Sequence, residues 1–249
     1  MPRHLLAAIA ATGCFLVAGA ARAADAPKPL RVLVYDVAYS TSTLRHEQTS
    51  GFTSSPNGTM GSIAGSGSVD RRFGSDDSGR LTVAVIAATA DGGLVVDVSY
   101  AGKSTSQPVV RVAILRNGDL SFDPKTPLLG AATGLLPFLS RGLIAERNVN
   151  PGSSWIVQAA APATGATTYR VVTLEGERAT LELDSSITVK GASGFAEATQ
   201  GKAVYATDVL SPLSLDLHSI IRRDVSVEQA DTIDARLVAT VVSDTFAKR

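Results

Sequence analysis

The chain has 249 residues, 45% hydrophobic and only 5% aromatic, and its 23 basic and 23 acidic residues cancel to a net charge of zero. That balance leaves no basic field to attract nucleic acid or an anionic membrane, and the doublets Arg71-Arg72 and Arg222-Arg223 read as solvated strand faces. The single cysteine, Cys14, lies so near the start that cleavage of an export leader would leave the mature chain without cysteine, and so without disulfides or cysteine-ligated metals.

The chain opens on a basic Arg3, an apolar run from Leu5 to Ala20, and Ala21-Arg22-Ala23 as a small-x-small cleavage site. This is the pattern of a bacterial secretory signal peptide over residues 1–23, so the mature protein is expected to start near Ala24 and to be periplasmic or secreted. The apolar run is shorter than the ~20 residues a bilayer requires, and no later segment reads as a transmembrane span. Lipidation at Cys14 would need a bulky aliphatic residue three places earlier, where Ala11 stands. Without the leader, 21 basic residues face 23 acidic ones, a net charge of −2. The 226 residues that follow the leader, 24–249, are enough for one large β domain or two small ones, and one domain is the preferred reading.

Leu33, Tyr35, Val37 and Tyr39 share one face at period two and begin a long strand. Turn chemistry then recurs at Pro56-Asn57-Gly58, Asp76-Asp77-Ser78-Gly79, Asp91-Gly92-Gly93, Asn117-Gly118 and Glu175-Gly176-Glu177. Asn-Gly and Asp-Gly provide the positive φ that tight hairpins need, so the connections are antiparallel. In the Gly/Ser-rich region 48–80, Gly61, Ile63, Gly65, Gly67 and Val69 share a parity that suits a flexible strand lining a closely approached surface.

Between these halves lies "TPLLGAATGLLPFLSRG", Thr126 to Gly142, uncharged until Arg141. Thr126 reads as an N-cap, Pro127 as the first helical residue and Gly142 as the residue past the end, which predicts a central helix over about 127–141. Leu128, Ala132, Leu135, Leu139 and Leu143 form a stripe that Leu129, Leu136 and Phe138 widen until little polar face remains, so the helix is buried on most sides. Pro137 predicts a kink or break. Asn150-Pro151-Gly152 then makes a turn and Trp155 opens the returning strand.

In the second half Tyr169, Val171 and Thr173 alternate, as do Ala179, Leu181 and Leu183, then Leu213, Leu215 and Leu217, and finally Ile233 to Val241. The total is about ten strands, without a fixed-period repeat. At ~4.8 Å per strand a flat sheet of that number is nearly 50 Å wide, whereas one helix covers about 10 Å. The expected fold is therefore mainly β (α+β): a large curved antiparallel sheet, half-barrel or open barrel, wrapped around one central helix that does not fill the trough.

Catalytic chemistry is not legible. His46 and His218 have no ligand-type neighbours at metal spacing, so no metal and no cofactor is expected. Asp77-Ser78-Gly79 matches the aspartic-protease tripeptide but lacks its preceding apolar strand and a second copy, and a turn is the better reading. No nucleophile elbow, Ser-x-x-Lys or phosphate loop occurs. Asp231 and Asp234 fall on opposite strand faces, and the sequon Asn57-Gly58-Thr59 lies in a turn of an exported bacterial-type chain.

With its export signal, strand meander and central apolar helix, the chain from Leu30 to Phe246 resembles the periplasmic lipoprotein-carrier fold and its lipid-binding relatives. The resemblance implies a trough able to accept acyl chains; it is architectural and transfers no site residue. The expectation is a non-enzymatic periplasmic protein that holds a hydrophobic small molecule or lipid between helix and sheet, with Leu135, Phe138, Leu139 and Trp155 near the pocket. The alternative is a cell-envelope interaction or scaffold module with a solid core, whose partner is an envelope protein.

Overall fold

The structure is a computed structural model that describes residues 28–52, 64–123, 125–126, 128–145, 147–191, 194–226 and 228–246. The leader with Cys14, the Pro56-Asn57-Gly58 turn, the sequon, Gly61, Ile63 and Pro127 lie outside the described residues.

Eleven strands alternate buried and exposed side chains. They are β1 (Arg31–Phe52), β2 (Ala64–Ala88), β3 (Leu94–Gly102), β4 (Ser106–Ile114), β5 (Leu120–Phe122), β6 (Ser154–Gln158), β7 (Thr164–Glu175), β8 (Arg178–Val189), β9 (Phe195–Ala206), β10 (Ser211–Ser226) and β11 (Gln229–Asp244). Between β5 and β6 runs α1 (Gly130–Leu135), which continues as a 3-10 turn over Leu136–Leu139. All described strands join one open antiparallel sheet in the order β5-β4-β3-β2-β1-β11-β10-β9-β8-β7-β6. The first and last strands pair at its centre, and β5 and β6 are its two edges. Both edges are short, three and five residues, which limits pairing with other chains.

This order explains why the helix is central. The connection from β5 to β6 must pass from one edge of the sheet to the other, and it does so across the apolar face. Gly118, in the β4–β5 turn, lies against Pro137, where an added Cβ would stand 3.6 Å from the proline's own Cβ. One residue later, the Phe138 carbonyl accepts a 2.8 Å hydrogen bond from Tyr205 Oη on β9. Six strand intervals separate β4 from β9, about 29 Å in a flat sheet. Adjacent residues of one helical segment touch both, so the sheet curls around it.

The two faces divide by polarity. Leu33, Tyr35, Val37, Leu81, Val83, Val96, Val98, Leu181 and Leu215 are buried on the concave side with Leu135, Leu136 and Phe138. The convex side carries cross-strand charge pairs, among them Arg236 on Asp216 at 3.0 Å and Arg111 on Asp97 at 2.7 Å.

Several expectations need correction. The helix is shorter than 127–141: Leu129, not Thr126, is its N-cap, and the α-helical part covers six residues. Gly130 and Gly134 weaken it, Pro137 converts its last turn to 3-10 geometry, and the Leu129 N–H is received by Gln107 Oε1 of β4 at 3.0 Å instead of by a local cap. Among the described residues the strands number eleven, in line with the expected count of about ten. Asp76-Asp77-Ser78-Gly79 is not a turn but the interior of β2, paired with Ser40, Tyr39, Ala38 and Val37 of β1. The Asp77 carboxylate instead accepts the backbone N–H groups of Ser104 and Thr105, which holds the β3–β4 hairpin and keeps its carboxyl below the usual carboxylate range. The remaining described turn signals do mark turns, with positive φ at Gly92, Gly118, Gly152 and Gly176.

Candidate functional site

Register converts the single-strand patterns into rows that cross the concave face. One row is apolar throughout, running Val171, Leu181, Ala203, Leu215, Ala239, Val37. The next is Trp155, Tyr169, Leu183, Gly201, Leu217, Leu237, Tyr39. Then comes a hydroxyl row in which Thr167, Ser185, Thr199 and Ser219 stand on β7, β8, β9 and β10. Beyond it lie Ile187, Glu197, Ile221 and Ile233, and after these Arg223, Asp231 and Arg45.

The helical segment covers the apolar rows at the β1–β5 side and reaches β9 through Phe138, but it leaves part of the face over β6–β10 uncovered. A cavity of about 280 Å³ remains there, lined by Gly134, Phe138, Tyr169, Leu183, Ser185 and Thr199 among others. A second, of about 190 Å³, lies between Tyr39, Gly130, Ile221 and Leu237. The two share Thr133, Gly134, Glu197, Leu217 and Ser219, so they form one trough that passes under Gly134. A side chain at Gly134 would narrow this passage, since its Cβ would come within 2.7 Å of Leu237 Cδ2.

Hydrogen bonds order the hydroxyl row. Thr167 and Ser185 share a 2.8 Å contact, Thr199 and Ser219 one of 2.7 Å, and Thr199 Oγ1 donates to Glu197 Oε1 at 2.9 Å. Burial pushes the Tyr169 phenol up to about 12 and raises Tyr39, on which the Glu197 carboxylate acts in the same direction, so both phenols stay protonated. The trough thus has apolar walls, neutral hydroxyls on its floor and one carboxylate at its centre.

Of the four residues expected near a pocket, Phe138 lines the trough, with its ring edge-on to Tyr169 at 6.5 Å. Leu135 and Leu139 are buried in the core, and Trp155 stacks behind Tyr169 at 5.6 Å, one ring removed from the space. The hydroxyl row and Glu197 were not anticipated. Their signal was present as parity, since Thr167 precedes Tyr169 and Ser219 follows Leu217 on the inward positions.

Arg223 is exposed, as expected of a solvated strand face, and is ion-paired as well. It donates to Asp231 Oδ2 at 2.9 Å, while Arg45 grips both Asp231 oxygens at 2.8 and 3.1 Å and stacks on Phe73 at 5.2 Å. The Asp231 side chain is fully buried, and the Arg45 hydrogen bonds hold its carboxyl below the usual range. A depressed folded value means that its contribution is present above the unfolded value of 3.8 and is lost as pH falls through the folded one. Asp231→Asn is expected to cost about 2 kcal/mol at pH 7, and its deficit relative to wild type should shrink between about pH 5 and 3 in denaturant titrations. A deficit that stays constant over that range would refute the assignment.

His46 and His218 are exposed and pair with Asp70 and Asp234, each on one carboxylate. Among the described residues no three His, Cys, Asp or Glu side chains gather as a metal site, and no helix is long and apolar enough to cross a membrane.

The fold and trough define a class of protein: one large open antiparallel sheet curled around a short helix, with space left between them. No family model and no curated protein matches the chain. Among solved structures it is similar to lipovitellin, from work on lipid–protein interactions in that protein, with a TM-score of 0.44 and 10% identity. The match covers 90% of this chain and 26% of that one, so this chain spans about a quarter of the lipovitellin chain's length.

Proposed function

We propose that this protein is a non-enzymatic carrier that binds one small amphiphile in the trough, outside the cytoplasm after loss of its leader, in the manner of the periplasmic lipoprotein carriers. The single observation that supports this is the space between α1 and β6–β10, whose lining grades from apolar rows to hydroxyls. Each of its two lobes, about 280 and 190 Å³, is smaller than the ~300–1,000 Å³ typical of small-molecule sites, and only as one continuous trough do they reach that size. That size suits a single chain. Phe138 and Tyr169 wall it and Trp155 stacks behind Tyr169, while Leu135 and Leu139 belong to the core.

Ser219 borders both lobes, so Ser219→Phe should fill the trough from its floor. Binding of N-phenyl-1-naphthylamine, an uncharged apolar fluorophore, is expected to weaken more than tenfold, with a stability cost of about 1–3 kcal/mol that leaves the protein folded. Native mass spectrometry of the wild-type protein from cells should show a bound small molecule.

The exposed apolar side chains Val69, Phe73 and Val225, on the distal ends of β2 and β10, favour the second reading, an envelope interaction module. A ligand-free wild type that also ignores the fluorophore would give that reading precedence, and in-cell cross-linking from Phe73 would then identify the partner.

A further inference from the structure

We infer that the trough selects amphiphiles whose polar group is a hydrogen-bond donor, above all a cationic amine, and rejects fatty-acid carboxylates. This rests on the trough being the ligand site, and it deepens that proposal by naming the chemistry of the ligand's polar end.

The first ground is charge. Glu197 lines both lobes at their junction, and the other ionisable carboxylate on the lining is Asp119, bound to Asn117 Nδ2 at 2.7 Å. Among the described residues no lysine, arginine or histidine lines either lobe. The basic side chains on the concave face next outward, Arg223 and Arg45, are both engaged with Asp231. An anionic headgroup placed among the hydroxyls would therefore face the Glu197 carboxylate, and a cationic one would neutralise it.

The second ground is the direction of the hydroxyl relay. Thr199 has one hydroxyl proton, and it goes to Glu197 Oε1 at 2.9 Å. The 2.7 Å contact between Thr199 and Ser219 must then be donated by Ser219. Both protons at this end point toward Glu197, so at this end the second Glu197 oxygen and the Ser219 lone pairs remain for a ligand, with the protonated Tyr39 and Tyr169 phenols further along the lining. The acceptors at the Glu197 end call for a donor. Gly134 lies directly above in both lobes, which leaves the headgroup room between helix and floor.

The test uses three probes with one chain length, dodecylamine, dodecanol and dodecanoate, each below its micellar concentration, competing with N-phenyl-1-naphthylamine at pH 7 on the full mature protein. The amine is expected to bind at least tenfold more tightly than the carboxylate, with the alcohol between them. Glu197→Gln should bring the amine-to-carboxylate ratio to within about twofold, and a thermal melt will establish that the variant is folded. The wild-type ratio needs no variant and stands as a separate check. Equal displacement by all three probes, or a ratio that Glu197→Gln leaves intact, would overturn the headgroup inference and leave ligand binding standing. Failure of the fluorophore and all three probes to bind would overturn both.

Discussion

Gly201→Val is expected to destabilise the protein by about 3 kcal/mol or more, enough to leave much of it unfolded or insoluble. Gly201 lies on β9 between Leu183 of β8 and Leu217 of β10. A Cβ there would stand 2.3 Å from the Asp216 carbonyl oxygen and 2.8 Å from Leu217 Cδ2. The first of these is backbone and cannot swing aside, so the strands would have to separate and lose ladder hydrogen bonds along the trough floor. Lys202→Ala, one residue on and facing the convex side, should stay within about 0.5 kcal/mol and serves as the control. Urea unfolding midpoints decide it. Similar midpoints for the two variants would show that β9 and β10 are not held this close.

Leu135→Ala should cost about 3 kcal/mol, within the range for emptying a fully enclosed leucine site. Leu135 is 0% exposed and belongs to the short helix whose own propensity is poor, so its burial against the sheet is what keeps the segment in place. The folded fraction should still bind N-phenyl-1-naphthylamine to within about twofold, because Leu135 stands on the core side of α1 and borders neither lobe. Equilibrium unfolding together with fluorophore titration separates the outcomes. Lost binding at unchanged stability would make Leu135 a ligand contact instead of a structural one.

These two residues show how unevenly the fold was legible. The alternation in β1, where Leu33, Tyr35 and Val37 are buried and Asp36 and Ala38 exposed, is a property of one strand and can be read without its neighbours. So can the positive-φ glycines of the hairpins, and the uncharged segment that had to be covered. Local signals failed where a distant partner outweighed them. Asp76 to Gly79 has turn composition, yet continuous pairing with β1 keeps it extended, and the Asp77 carboxylate satisfies the backbone of a different hairpin. Thr126 has the character of a cap, yet the Leu129 N–H finds Gln107 on another strand.

The candidate site was less legible than the fold for a related reason. Phe138 was identifiable as a large apolar residue at a weakened helix, and it lines the trough. Thr167, Ser185, Thr199 and Ser219 sit tens of residues apart in four segments, and each alone is an unremarked inward hydroxyl. Only the pairing registers align them, and only then does Glu197 become their common terminus. Asp231 was likewise assigned the correct face relative to Asp234, but its two arginines come from β1 and β10.

The amino-acid order by itself determined the extended, two-faced character of the chain, its antiparallel turns and the need to bury one apolar segment, because these depend on periodicity and on φ preferences within a few residues. The tertiary structure alone decided that the first and last strands meet at the sheet's centre, that the segment is a six-residue helix inside the curl, and that hydroxyls and a carboxylate share one trough. Those features are set by register and curvature between strands, which arise from many cross-strand contacts acting together and belong to no single stretch of sequence.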